Sequence, residues 1–122
     1  MTTVKPVTWF EIGSPDPAAT RAFYGKLFGW SFAGDTFPGM DYTMIEAGEG
    51  IKGGIFGTSA EVPNYAVFYV EVPDVAAMCR EVDEAGGKVI VEPTSTPDGL
   101  VFAQVFDPHG NHFGLFSPPS GA

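Results

Sequence analysis

The feature that most constrains this sequence is an internal repeat, in which the first half of the chain resembles the second half 58 residues later. Residues 9–19 align with residues 67–77, and the matched pairs include Phe10 with Phe68. Self-similarity at a fixed spacing indicates repeated structural units. The chain is therefore expected to contain two copies of one module.

Chain length and composition favour a single packed domain. The 122 residues are 44% hydrophobic and 14% aromatic, and a chain of this size buries roughly two thirds of the surface that it exposes when unfolded. We expect one domain over residues 1–122, with module one at 5–57, a linker at 58–63 and module two at 64–117.

Each copy begins with alternating apolar residues, which is the periodicity of a strand. Asp16 and Asp74 then stand where a side-chain oxygen can cap a helix, and Pro17 suits a first helical position. The helix stripes expected to face a sheet are Ala19, Ala22, Phe23 and Leu27 in the first copy, and Val75, Met78, Cys79, Val82 and Ala85 in the second. Glycines follow both helices, at Gly29 and at Gly86.

Three strand candidates follow each helix. They are 30–33, 42–47 and 53–57 in the first copy, and 88–92, 100–106 and 112–117 in the second, with 93–99 separating two of them. The pattern predicts βαβββ twice, an α+β fold.

Charge and cysteine content exclude several classes of protein. The net charge of −9 opposes binding to nucleic acid, and no apolar run is long enough to span a membrane. The single cysteine, Cys79, cannot form an internal disulfide and is typical of a reducing compartment. We expect a soluble cytoplasmic protein.

Three segments, in order along the chain, resemble a known family. They are residues 16–30, residues 85–89, and residues 106–115 with the turn Asp-Pro-His-Gly-Asn. Together they resemble the vicinal oxygen chelate superfamily, also called glyoxalase/bleomycin resistance/dioxygenase. The resemblance implies two βαβββ modules that curl their sheets into a cup, usually within a homodimer.

The resemblance also implies metal ligands on the first and last strands of each module. In this sequence those positions fall on Trp9, Val67 and Gly114, and the fourth falls on the strand 53–57, which has no oxygen or nitrogen in its side chains. Divalent ions need several such ligands. We expect no metal.

Two other motifs suggest cofactor or metal binding only superficially. Residues 48–53 fit G-x-G-x-x-G, but no helix follows to point its N-terminus at a pyrophosphate, so we expect no cofactor. His109 and His112 flank a turn and do not share a helix face. A joint metal site is not favoured.

Strand alternation predicts the residues that line the cup. Because Phe10 and Ile12 belong to the helix-packed face, Trp9 and Glu11 point to the opposite side. The same parity predicts a ligand pocket lined by Trp9, Glu11, Val67, Tyr69, His112, Gly114 and Phe116.

Three functions fit these features. The first is metal-independent binding of an aromatic or apolar small molecule in the cup. The second is an enzyme of lyase, isomerase or dioxygenase type that uses Glu11 as acid or base, with His112 or Tyr69, or an atypical metal site. On this apolar strand, desolvation should disfavour the charged form of Glu11 unless a cation or several donors meet it, and a structural hydrogen bond to the backbone or a tyrosine is the alternative role of this carboxyl group. The third is a dimeric interaction module with a filled cup.

Overall fold

A computed structural model describes residues 3–35, 41–59 and 61–119, so Ala60 of the expected linker lies outside the described residues. Within these ranges the chain forms two helices and eight strands. The first module contains β1 (Val7–Ser14), α1 (Pro17–Phe28), β2 (Ser31–Asp35), β3 (Tyr42–Glu46) and β4 (Lys52–Gly57). The second contains β5 (Tyr65–Glu71), α2 (Val75–Glu84), β6 (Lys88–Ser95), β7 (Val101–Phe106) and β8 (His112–Ser117). This order confirms the predicted α+β fold.

The chain divides into two compact units, and the boundaries cut through β1 and β5. The first unit is Trp9–Val67, and the second combines Met1–Thr8 with Phe68–Ala122. In the first unit the strand order is β2-β3-β4-β1, with β1 and β4 parallel. In the second unit it is β6-β7-β8-β5, with β5 and β8 parallel. The units therefore repeat one strand arrangement.

Both helices begin at the predicted aspartate caps. Asp16 Oδ1 accepts a hydrogen bond from the Ala19 amide at 3.1 Å, and Asp74 Oδ1 accepts one from Ala77 at 3.0 Å. Gly29 ends α1 in the left-handed conformation at φ 71°. Neither helix in the described ranges has the length and apolar character needed to cross a membrane.

The predicted face of α2 packs on the second unit's sheet. Val75 and Cys79 are buried with strand residues such as Val105 and Leu115, and Met78 and Val82 pack against this cluster. Ala85, at the end of the predicted stripe, is an exposed C-cap. The helical periodicity therefore identified the buried face of α2 correctly up to its last turn.

The predicted face of α1 is wrong. Phe23 and Leu27 are 57% and 55% exposed, and Ala19 and Ala22 are exposed as well. The helix instead directs Tyr24 towards the core that contains Ile12, Ile45 and Ile55. Because apolar residues occur almost all round α1, periodicity could not select its buried side.

Strand β6 runs further than predicted. It continues through Pro93 to Ser95, where the sequence had suggested a connecting segment. A proline cannot donate a hydrogen bond to a neighbouring strand, but β6 is the last strand of its sheet and, among the described residues, pairs with β7 alone. The register shifts between Val91 and Thr94 accommodate it.

Candidate functional site

The first unit has one sheet face covered by α1 and one opposite face, called here the first open face. Ile12 and Ile55 lie in the α1-side core, so alternation along β1 and β4 points their neighbours to the other side. The first open face contains Trp9, Glu11, Gly13, Tyr42, Met44, Gly54, Phe56 and Tyr65.

Glu11 is the buried carboxyl of this face, with 5% of its surface exposed. The Tyr65 hydroxyl donates to Glu11 Oε2 at 2.6 Å. The Tyr65 ring lies against Gly13, where a Cβ atom would overlap ring carbons. Glycine at position 13 therefore lets the tyrosine reach the carboxyl.

A second tyrosine is fixed in the same way on β3. Tyr42 is 6% exposed, and its hydroxyl accepts a hydrogen bond from Trp9 Nε1 at 2.8 Å. Its ring covers Gly54 so closely that a Cβ there would overlap it, and its centroid is 6.2 Å from that of Phe56. The rings of Trp9, Tyr42 and Phe56 thus form a contiguous aromatic surface beside Glu11.

The second unit also has an open face, opposite α2, and it carries a chain of polar side chains. Gln104 Nε2 donates to the Tyr69 hydroxyl at 3.1 Å, and Gln104 Oε1 is 3.1 Å from His112 Nε2. Because a carbonyl oxygen only accepts, His112 Nε2 carries the hydrogen in this arrangement. Burial lowers the pKa of His112 from its ordinary value of 6.5, which favours the neutral ring.

The predicted pocket residues fall into two groups. Trp9 and Glu11 share the first open face, whereas the second open face holds Tyr69, His112, Gly114 and Phe116. Val67 is buried and is the last residue of the first unit.

Sequence reasoning missed Tyr42, Tyr65 and Gln104. Strand parity could have found Tyr65, which is two positions before Val67 on β5. The contacts of Tyr42 with Trp9 and of Gln104 with Tyr69 depend on which strands are neighbours in the sheet. The order of strands in the sheet cannot be read from the sequence.

The donor set does not fit the metal centre that the family resemblance implies. Trp9, Val67 and Gly114 supply no ligand atoms. Sheet register identifies Gly54 as the fourth position, since it pairs with Glu11 on β1 as Gly114 pairs with Tyr69 on β5. Among the described residues no group of three His, Cys, Asp or Glu side chains could hold a metal ion.

Comparison with known proteins identifies the family. The model of the Glyoxalase/Bleomycin resistance protein/Dioxygenase superfamily matches residues 7–115. The chain belongs to this superfamily. The match includes both modules, from β1 into β8.

Curated relatives of the chain differ in length. The anthracycline biosynthesis protein DnrV of Streptomyces peucetius is 30% identical over 88% of this chain, which spans 45% of DnrV. A glyoxylase-like domain-containing protein of Didymella fabae is 28% identical, with 93% of this chain and 94% of that protein covered. The chain thus spans under half the length of DnrV and nearly all of the fungal protein.

Solved structures share the fold. The methylmalonyl-CoA epimerase of Mycobacterium tuberculosis superposes with a TM-score of 0.65 at 15% identity, covering 97% of this chain and 93% of the epimerase. Hypothetical protein BH1468 from Bacillus halodurans gives a TM-score of 0.71 at 17% identity, covering 98% of this chain and 99% of that protein. At these identities the likeness concerns the fold alone.

Proposed function

We propose that this superfamily member binds an aromatic or apolar small molecule on the first open face, without a metal ion. The observation that carries the proposal is the aromatic surface of Trp9, Tyr42 and Phe56 beside the buried Glu11. Apolar walls with a few placed polar groups are typical of small-molecule sites. A planar ligand stacked on these rings would meet one carboxyl group.

The hydrogen bonds of this face support a preformed site. Trp9 and Tyr42 hold each other through one hydrogen bond, and Tyr65 and Glu11 through another. Side chains that are already ordered lose less conformational entropy when a ligand binds. The glycines at positions 13 and 54 leave room for the two tyrosine rings, since a Cβ atom at either position would overlap a ring.

The donor set supports binding without a metal. Aromatic rings lie over the last-strand positions, since Tyr42 covers Gly54 and Tyr69 covers Gly114. A carboxylate introduced at either glycine would collide with the ring above it.

We also propose a cytoplasmic location, which is consistent with a single buried thiol, Cys79.

Binding is tested with quinoline as a neutral planar probe, by isothermal titration calorimetry. We expect saturable binding that Trp9→Leu weakens at least tenfold. Phe23→Leu, an exposed aromatic residue on α1, is the matched control and should bind like the unmodified chain. No saturable binding of quinoline, or equal binding by Trp9→Leu, would contradict the proposal.

A second candidate is an enzyme in which Glu11 acts as acid or base. The short hydrogen bond from Tyr65 to this buried carboxyl favours it, because a positioned carboxyl with an attached hydroxyl can move a proton. Native mass spectrometry of protein purified from its source identifies any small molecule that it retains, and incubation of that compound with the protein then distinguishes the two functions. Catalysis predicts turnover that Glu11→Gln abolishes, whereas simple binding predicts unchanged ligand.

We also propose that the chain forms a homodimer. Support comes from α1, whose outer side exposes Phe23, Leu27 and Phe28 at 55–59% of their surfaces. Clustered apolar side chains on a surface are typical of protein contacts. Sedimentation at micromolar concentration should give a dimer, and Phe23→Lys with Leu27→Lys should shift it towards monomer if this surface is used. A monomeric unmodified chain would contradict association.

A further inference from the structure

The second unit contains a cleft that the proposed function does not use. Its volume is about 610 Å³, which is within the range of small-molecule pockets. The cleft lies where residues 3–6 meet the ends of β5 and β8 and the start of β7, and all of these segments belong to the second unit. Its apolar lining residues are Val4, Pro6, Val72, Pro73, Val101 and Pro118.

The walls of the cleft are fixed by backbone hydrogen bonds. The Glu71 amide donates to Pro6 O at 2.8 Å and holds the N-terminal segment against the end of β5. The Val72 amide donates to Phe116 O at 2.8 Å and holds the same end of β5 against β8. Three of the apolar lining residues are prolines, which lose almost no side-chain freedom when a ligand covers them. The cleft is therefore a preformed surface, and covering it costs little conformational entropy.

Two half-buried side chains of opposite charge, Lys5 and Glu71, also line the cleft. Lys5 Nζ donates a hydrogen bond to Thr3 O at 3.0 Å, and an ammonium group has two further hydrogens to donate. Glu71 Oε1 accepts a hydrogen bond from Thr8 Oγ1 at 2.9 Å, and a carboxylate can accept several more. In the part of the chain that the structure describes, Lys5 and Glu71 form no ion pair with each other. One cleft thus offers a cation and an anion to a ligand.

We infer that this cleft binds a small zwitterion, namely an α-amino acid with an apolar side chain. Lys5 binds the carboxylate of the amino acid, Glu71 binds its ammonium group, and the apolar walls cover its side chain. A ligand that carries only one of these charged groups leaves Lys5 or Glu71 partly desolvated without a partner, which costs binding free energy. The inference goes beyond the proposed function, which concerns the first open face.

Three probes with the same branched carbon chain test the inference. Leucine is a zwitterion at pH 7.5, 4-methylpentanoate lacks its ammonium group, and 3-methylbutylamine lacks its carboxylate. Titration of the ¹⁵N-labelled chain, followed by amide chemical shifts, should show leucine binding about threefold or more tighter than either analogue, since ion pairs at partly exposed positions contribute modestly. The largest shifts should include the amides of Lys5, Val72 and Val101. Leucine binding no tighter than either analogue, no saturable binding, or shifts confined to residues outside the cleft would overturn the inference.

Variants assign the two charged contacts. Lys5→Met removes the positive charge and should weaken leucine binding to the level of 3-methylbutylamine. Glu71→Gln keeps an acceptor for Thr8 and should weaken leucine binding to the level of 4-methylpentanoate. Lys88→Met and Glu84→Gln remove exposed charges outside the cleft, so these matched controls should bind leucine like the unmodified chain. Unchanged leucine affinity in a folded Lys5→Met or Glu71→Gln variant would overturn the inference.

Discussion

The two units use the same sheet position for different purposes. Glu11 pairs with Gly54 in the first unit, and Tyr69 pairs with Gly114 in the second. The ring that covers Gly54 comes from Tyr42 on β3, so the β1 position can carry a carboxyl group. In the second unit Tyr69 itself covers Gly114. A ring supplied by the next strand thus lets one copy of the module carry a buried carboxyl group where the other carries a tyrosine that hydrogen-bonds to Gln104.

The cores of the units differ as well. Among the described residues, the buried cluster of the first unit has three members, Ile12, Ile45 and Ile55. The buried cluster of the second unit has six, two of which, Val75 and Cys79, come from α2. Helix α1 contributes no buried residue. The first unit therefore depends on fewer side chains for its stability.

The largest expected effect is at Ile55, which is fully buried in the smaller core. Ile55→Ala should lower the free energy of unfolding by about 2–5 kcal/mol, because it removes apolar burial and leaves a cavity. Denaturant titration followed by circular dichroism measures it. Ile51→Ala, at a position 44% exposed, is the matched control and should change stability little. Similar losses for the two variants would contradict the assigned core.

Next in size are the glycines under the tyrosine rings. Gly114→Ala and Gly54→Ala should each lower the free energy of unfolding by about 1–3 kcal/mol, because the new methyl group overlaps a ring. Combining Gly114→Ala with Tyr69→Leu should cost less than the sum of the two single changes. Strict additivity in thermal unfolding would show that the ring and the glycine do not pack as described.

The same substitution in both units compares a tyrosine that hydrogen-bonds to a carboxyl group with one that hydrogen-bonds to an amide. Tyr65→Phe removes a donor to the buried Glu11 carboxyl group and should cost about 1–3 kcal/mol, because a buried acceptor loses this partner. Tyr69→Phe removes an acceptor for Gln104 and should cost about 0.5–1.5 kcal/mol. Chemical denaturation at neutral pH measures the loss in free energy of unfolding for each variant. A larger loss for Tyr69→Phe would contradict the assignment of the stronger hydrogen bond to Tyr65 and Glu11.

The smallest expected effect is a pH dependence from His112. Burial lowers its pKa in the folded chain below the ordinary value of 6.5, so the unfolded chain binds more protons between the two values. The contribution of neutral His112 to the free energy of unfolding should therefore be fully present above pH 6.5, and it should fall as the pH drops towards the pKa of His112 in the folded chain. Melting temperatures from pH 7.5 to 5 measure this. His112→Gln should flatten the profile, whereas His109→Gln, at an exposed turn, should not.

Much of the fold followed from local sequence. Asp16 and Asp74 marked the starts of the helices, because a capping carboxylate needs only amides two or three residues away. Alternation along β1 placed Trp9 and Glu11 on one face, since side-chain direction in a strand has a period of two. The extension of β6 through Pro93 could not be read in this way, because it depends on β6 having a neighbour on one side only.

Sequence by itself determined the repeat, the order of helices and strands, and the faces of β1, β5 and β8, since all of these depend on residues close together in the chain. Only the tertiary structure decided that Tyr65 reaches Glu11, that Tyr42 meets Trp9 and that Gln104 joins Tyr69 to His112. These contacts join residues 8 to 54 positions apart, and they depend on strand neighbours and register. The buried side of α1 also required the structure, because a helix that is apolar almost all round can pack in several orientations.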